Sequence, residues 1–173
     1  EKVYYRRFHR VNSPGVEGIS VNFDRQFYEE ANLLYRKRYE DFHLPKEIPN
    51  VDKVYDELVG DADEYIILHK NSSLRDDYPV ELWSWRQGKF NKNIKIVEIQ
   101  KGQTSNMLSY MKVIEKAKEI HCVDSSFFCL VDSVSSKLKG ELFYHDMRVN
   151  SHVQVHCNFS IPKWNVMSYD FVI

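Results

Sequence analysis

The pattern of apolar and polar residues changes near residue 60. Before it, apolar residues recur at three- and four-residue steps, which is typical of amphipathic helices. After it, short continuous apolar runs alternate with helical stretches, and continuous runs are typical of strands that are covered on both faces. The pattern therefore predicts helices first and an α/β region afterwards.

Two helices are predicted in the amino-terminal part. Residues 25–42 carry the first, with Asp24 as its cap, and residues 51–59 carry the second, which Gly60 ends. Residues 1–24 show no clear periodicity and include strong loop chemistry in the sequence NSPG. We interpret them as a loop, a linker or the remnant of an upstream domain.

The remaining residues predict an open, mostly parallel sheet flanked by helices. Strands are expected at 65–69, 94–99, 119–123 and 141–144, with helices at 107–118 and 125–138 between the last three of them. Such alternation of strand and helix produces right-handed crossovers between parallel strands. Residues 25–173 are therefore predicted to form a single Rossmann-like α/β domain, in which strands 94–99 and 119–123 are parallel neighbours. Residues 152–167 are expected to supply edge strands or a closing tail.

Composition narrows the class of protein. The chain has 173 residues, of which 43% are hydrophobic and 28% charged, as in one ordinary globular domain. A net charge of -1 without a basic excess argues against a nucleic-acid binder, and no apolar run is long enough for a membrane span. Three cysteines without CxxC spacing predict buried free thiols, which suit a soluble protein of the cytoplasm.

Polar residues follow three of the predicted strands. They are His69-Lys70-Asn71-Ser72-Ser73 with Arg75, then residues 100–106 with Lys101 and Gly102, and then Asp124-Ser125-Ser126-Phe127. The carboxyl ends of parallel strands meet at one edge of a sheet, and open α/β sheets bind ligands at that edge. The three clusters are therefore expected to share one site.

The third cluster has the clearest anion-binding chemistry. Asp124 or Ser125 can cap the following helix, whose first turn offers free N–H groups and the positive end of the helix dipole. Serine hydroxyls would add donors for phosphate oxygens, Lys101 could neutralise a phosphate, and Gly102 would let the backbone approach it. The alternatives are plain capping at the helix start and a solvated loop at residues 101 and 102.

Other chemistry is not indicated. The sequence contains neither a P-loop nor a GxGxxG fingerprint. His69 ends a strand and can face the crevice or serve a structural role, whereas His121 is expected to be satisfied in the core. His152 and His156 would be about 13 Å apart on a strand, at ~3.3 Å per residue. We therefore expect no metal site.

Several stretches resemble the carboxyl-terminal region of glycosyltransferase-like proteins with the GT-B fold, which occur in bacteria, phages and marine environmental sequences. These stretches are residues 65–69, 94–99 and 110–128, and the most specific part is AKEIHCVDSSF at 117–127, with Phe143-Tyr144-His145 after the next helix. More remotely, Ser125-Ser126-Phe127 is similar to an element of the fucosyltransferase superfamily. The HxRxGD-type motif of that superfamily is not reproduced at residues 69–72. The resemblance covers about residues 25–167.

The resemblance implies a sugar-nucleotide donor site in the carboxyl-terminal half of a GT-B fold. Ser125, Ser126 and Phe127 would face the donor diphosphate, with His69 nearby, and no metal or other cofactor would be required. The acceptor-binding amino-terminal half lies outside these 173 residues, so the chain is expected to be the donor-binding part of a glycosyltransferase with a possible upstream domain. The alternative is a non-catalytic module of the same fold that binds a nucleotide or a protein.

Overall fold

One parallel sheet organises the molecule. The computed structural model of the protein describes residues 28–72, 77–80, 82, 93–146 and 164–168. The strands are β1 (Tyr65–His69), β2 (Lys95–Glu98), β3 (Glu119–Val123), β4 (Glu141–Asp146) and β5 (Trp164–Ser168). The helices are α1 (Lys37–Glu40), α2 (Val51–Leu58), α3 (Met111–Lys116) and α4 (Ser126–Val134), with 3-10 turns at Met107–Tyr110 and Ser135–Lys137. The predicted α/β, Rossmann-like sheet flanked by helices is confirmed.

The strands lie in the order β2-β1-β3-β4-β5, and every adjacent pair is parallel. Segments 94–99 and 119–123 are parallel as predicted, but the prediction that they are neighbours is wrong, because β1 lies between them. Burial explains the order. Ile66 and Ile67 of β1 are 1% and 0% exposed, whereas Lys95 of β2 is exposed and Ile96 is only half-buried. The apolar strand β1 therefore lies inside the sheet, between β2 and β3, and the more polar strand β2 takes the edge.

Alternate side chains of the strands pack against the helices. The strand residues in this core include Tyr65, Ile67, Val97, Ile120, Cys122, Leu142 and Tyr144. The helix residues that face them include Val54, Met111, Val113, Ile114, Phe128 and Val131. Each large apolar side chain that is removed from water contributes about 1.5–3 kcal/mol to the stability of the fold. This packed layer therefore holds the helix starts in place over the strand ends.

The opposite face of β3 and β4 contains a buried polar network. His121 and His145 are both fully buried, and Nδ1 of the first lies 2.9 Å from Nε2 of the second. Nε2 of His121 lies 3.1 Å from a carboxylate oxygen of Glu119, and the His121 ring stacks on Phe143 with 4.5 Å between centroids. Both ring nitrogens of His121 are thus used, which confirms that this histidine is satisfied in the core.

The prediction of one continuous helix over residues 25–42 is wrong in the middle of that range. Residues 28–30 are helical, but the chain turns before α1 begins. Asn32 has a φ of 55°, a left-handed conformation that ends a helix. The predicted apolar face is also not fully buried, since Leu34 is 59% exposed. Residues 25–27 lie outside the described residues.

The interruption lets α1 turn towards a buried carboxylate of α4. Asp132 is 4% exposed and accepts hydrogen bonds from the Tyr39 hydroxyl at 2.9 Å and from the Trp164 indole N–H at 3.0 Å. Nη2 of Arg38 lies 3.6 Å from Oδ2 of Asp132, and burial raises the pKa of Tyr39. Asp132 therefore joins α1, α4 and β5.

The remaining predicted elements are confirmed with small shifts at their ends. The helix predicted at 51–59 is α2, followed by Gly60 with a φ of 58°. The helix predicted at 107–118 starts as a 3-10 turn, and the one predicted at 125–138 ends as one. β5 extends the parallel sheet beyond β4, while residues 152–156 lie outside the described part of the chain.

Two of the three thiols fall within the described residues. Cys122 is buried and Cys129 half-buried, and both are free. Burial raises the pKa of Cys122 well above its ordinary value, which keeps this thiol protonated and unreactive. In the described ranges, no helix is long and apolar enough to cross a membrane.

Candidate functional site

The order of the strands reverses at β1. The chain passes from β1 outwards to β2 and then returns across β1 to form β3. In open α/β sheets, ligands bind outside the carboxyl ends of the strands at such a switch point. Because all five strands are parallel, the described residues of the three predicted polar clusters follow strand ends on one edge of the sheet, while Ser73 and Arg75 of the first cluster lie outside the described residues.

His69 ends β1 at this switch point. It is 8% exposed, its ring stacks on Phe127 with centroids 4.8 Å apart, and its Nδ1 lies 3.4 Å from the Ser125 hydroxyl oxygen. Among the residues that the structure describes, Nε2 of His69 has no hydrogen-bond partner. Burial lowers the pKa of His69 to about 4, so the imidazole is neutral at pH 7.

The buried, neutral His69 should make the protein lose stability in mild acid. An unfolded histidine gains a proton below pH 6.5, whereas folded His69 stays neutral down to about pH 4. The folded state binds fewer protons in this window, so its stability falls as the pH drops, by about 2 kcal/mol at pH 5. Urea unfolding at pH 7.5 and pH 5.0 measures the loss. His69→Gln, which cannot titrate, should lose less stability, and an unchanged pH dependence in that variant would refute the assignment.

Ser125 caps α4. Its hydroxyl oxygen accepts a hydrogen bond from the Phe128 N–H at 3.1 Å and its hydroxyl hydrogen is donated to the Val123 carbonyl at 3.0 Å. Of the two predicted caps, Asp124 and Ser125, the structure therefore selects the serine. Helix geometry leaves the N–H groups of Ser126 and Phe127 without an intrahelical acceptor, and the Ser126 side chain is exposed. These groups are the donors that the helix start presents.

The loop after β2 is held by one glutamine. The Gln103 amide donates to the Glu98 carbonyl at 3.1 Å, and its oxygen accepts from the Gln100 N–H at 2.9 Å and from the Tyr110 hydroxyl at 3.1 Å. Lys101 and Gly102 lie at the exposed tip of this loop. Gly102 has a φ of 82°, a conformation that side chains disfavour.

Aromatic contacts connect this loop to the other clusters. Tyr110 packs edge-on against Phe127 with centroids 5.9 Å apart, and Phe127 stacks on His69. Phe127 is 2% exposed, so its ring is a buried spacer between the two. The structure thus brings His69, Ser125 and Phe127 into direct contact and places Lys101, Gly102 and Ser126 at the same edge.

Gln103, Tyr110 and Asn71 also contribute to this edge, although the sequence did not indicate them individually. The contacts of Tyr110 with Gln103 and with Phe127 connect separate segments, which no local pattern shows. Asn71 is 9% exposed and stands two residues after His69, so its spacing from the strand end was the available indication.

A separate cavity lies at the amino ends of the strands, on the side of the sheet opposite to the switch-point site. Its volume is about 470 Å³, and its lining includes Ala117 and Leu138. These residues directly precede β3 and β4, so the cavity opens beside the amino ends of the strands. None of the predicted site residues lines it, and it is distinct from the switch-point site.

Within the described residues, no group of three or more His, Cys, Asp or Glu side chains is arranged to hold a metal ion. Comparisons of the chain with protein-family models, with curated proteins and with solved structures find no match. The function must therefore be argued from the fold and from the chemistry of the switch-point edge.

Proposed function

We propose that the switch-point edge binds the diphosphate of a nucleotide-sugar donor, and that the chain is the donor-binding part of a glycosyltransferase. The observation that carries the proposal is the meeting of the α4 start and the end of β1, with His69 Nδ1 3.4 Å from Ser125 Oγ. The resemblance of residues 117–127 to glycosyltransferase-like proteins favours a sugar nucleotide over other phosphate ligands.

The diphosphate is held by uncharged donors and one cation. The N–H groups of Ser126 and Phe127 lie at the helix start, where the helix dipole favours negative charge, and the exposed Ser126 side chain adds a hydroxyl. Lys101 contributes a positive charge from the neighbouring loop. His69 positions the helix start rather than binding the phosphates: it is neutral because burial lowers its pKa to about 4, and its Nδ1–H donates to the Ser125 hydroxyl oxygen, whose own hydrogen is given to the Val123 carbonyl. Hydrogen bonds to the charged phosphates are worth more than neutral ones.

These groups would act on the leaving group of the transfer. The acceptor hydroxyl attacks the anomeric carbon, the new glycosidic bond forms, and the bond from that carbon to the diphosphate breaks. Negative charge grows on the diphosphate oxygens, where fixed N–H groups and Lys101 stabilise it. A histidine with a pKa of about 4 is a weak base, so we assign removal of the acceptor proton to an amino-terminal half.

Nucleoside diphosphates should bind more tightly than nucleosides. Isothermal calorimetry with uridine and guanosine diphosphates, and with the two nucleosides, measures the difference. Ser126→Ala and Lys101→Ala should each weaken diphosphate binding about 10- to 150-fold, because each loses a charge-assisted contact of roughly 1.5–3 kcal/mol. Lys101→Ala should also flatten the salt dependence of binding.

Two further variants separate binding from stability. Ser125→Ala removes the cap and should lower stability by about 1 kcal/mol with affinity unchanged. Lys139→Ala removes an exposed lysine next to the amino end of β4 and should change neither quantity. If the Ser126 and Lys101 variants bind diphosphate as tightly as the parent does, the proposed site is refuted.

The second candidate is a non-catalytic nucleotide-binding module. The low basicity of His69 favours it, because the described edge then supplies binding groups without a strong base. Release of diphosphate from sugar nucleotides by a form of the protein that includes the upstream domain, followed with and without simple sugar acceptors, distinguishes the two. Tight binding without release supports the module.

A further inference from the structure

The side-chain oxygen of Asn71 is buried and unpaired. Within the described part of the chain, Oδ1 of Asn71 has no hydrogen-bond donor, and the residue is 9% exposed. Buried polar atoms are nearly always paired, and each exception calls for an explanation such as a bound water, an ion or a functional role.

The backbone on both sides of Asn71 is fixed. The Lys70 carbonyl accepts a hydrogen bond from the Tyr78 N–H at 3.0 Å, and the Ser72 and Tyr78 hydroxyls lie 3.3 Å apart. The Lys70 ammonium also lies 3.3 Å from the Glu98 carboxylate at the end of β2. The residues on both sides of Asn71 are therefore tied to Tyr78.

We propose that Asn71 Oδ1 accepts a hydrogen bond from a bound ligand, and that the ligand group is a neutral donor, a hydroxyl or an N–H. Asn71 stands two residues after His69, where the end of β1 meets the switch point. A diphosphate carries only acceptors at neutral pH, so it cannot satisfy this oxygen. The donor must come from the sugar or the nucleoside, which makes Asn71 a specificity residue of the proposed donor site and makes this inference depend on the proposed function.

The inference predicts opposite effects on stability and on binding. Asn71→Leu removes the unsatisfied acceptor and keeps the branching at Cγ, so the ligand-free protein should melt about 2–4 °C higher. The same variant should bind sugar nucleotides about 3- to 30-fold more weakly, because the ligand donor loses its acceptor. If the Asn71 side chain had a purely structural role, Asn71→Leu would lower the melting temperature and leave sugar-nucleotide binding unchanged.

Asn106 provides the matched control. Its side-chain oxygen accepts a hydrogen bond from the Leu108 N–H at 3.0 Å and caps a 3-10 turn. Asn106→Leu should therefore lower the melting temperature, in contrast to Asn71→Leu. Thermal unfolding of the ligand-free proteins and calorimetry with uridine diphosphate glucose and guanosine diphosphate fucose measure both quantities.

Each outcome decides between the two proposals. A lower melting temperature for Asn71→Leu means that the oxygen is satisfied by ordered water, and overturns the inference. If the parent binds sugar nucleotides and the Asn71→Leu variant binds them equally tightly, the inference is also overturned, while the proposed function stands. If the folded parent binds no sugar nucleotide, both proposals fail.

Discussion

Replacing Asp132 with alanine should lower the free energy of unfolding by about 3–5 kcal/mol, the usual cost of removing one partner of a buried ion pair. Asp132 is 4% exposed and lies 3.6 Å from the Arg38 guanidinium, which is itself 9% exposed. The change leaves that charge buried without its carboxylate and also removes the acceptors of the Tyr39 hydroxyl and the Trp164 N–H. Urea unfolding monitored by tryptophan fluorescence and circular dichroism measures the loss.

Two variants test the physical cause. Asp132→Asn keeps an acceptor but removes the charge, so it should cost less than alanine. Glu40→Gln breaks the exposed contacts of Glu40 with Arg36 and Lys37 at 3.6 Å and should cost less than about 1 kcal/mol. An Asp132→Ala loss as small as that of Glu40→Gln would show that the buried cluster does not stabilise the fold.

Adding one methyl group at Gly140 should lower stability by about 3 kcal/mol or more, through overpacking against rigid backbone. A Cβ there would lie 2.3 Å from the Ala117 carbonyl oxygen and 3.0 Å from the Lys118 carbonyl oxygen. The Lys118 oxygen accepts a hydrogen bond from the Glu141 N–H at 3.0 Å. The clash can be relieved only by shifting the start of β3 against the start of β4.

Gly102→Ala is the matched control. Its φ of 82° disfavours a side chain, but no heavy atom lies within 4 Å of the added Cβ. The expected cost is therefore only the backbone strain, about 1 kcal/mol. Denaturant unfolding of both variants separates the two effects, and equal losses would mean that the contact at Gly140 relaxes freely.

The sequence predicted the strands well because their burial is local information. A run such as residues 65–69 is apolar throughout, and only a strand covered on both faces needs that composition. Strand order is different, since nothing within residues 94–99 or 119–123 states which strand lies beside them. β1 takes an interior position because Ile66 and Ile67 must be buried on both faces, which requires comparing all strands at once.

The helix prediction at 25–42 failed for a related reason. Periodicity sums apolar residues over a window, but a single left-handed residue, Asn32, ends the helix. The turn is stabilised by the contacts of Arg38 and Tyr39 with Asp132, which is more than 90 positions further along the chain. No local pattern carries that contact.

The candidate site, like the fold, could be predicted only in part. His69 and Ser125 could be placed together from sequence, because parallel strands put their carboxyl ends on one edge. The unpaired oxygen of Asn71 could not be predicted, because whether a polar atom finds a partner depends on segments that approach only in the folded chain. The link from Gln103 through Tyr110 to Phe127 likewise depends on contacts formed only in the folded chain.

The position of β1 inside the sheet, with a partner on each side, also determines when the protein can acquire its structure during synthesis. Tyr65 pairs with Lys95 and Ile66 with Glu119, so β1, the first of the described strands along the chain, waits for partners encoded much later. A nascent chain that ends after β2 has only a two-stranded parallel edge, which is marginal in water. Closing the long loops between β1 and its partners costs entropy before the contacts form. Cooperative folding should therefore begin only after β3 has emerged, and the buried run of β1 remains a target for chaperones until then.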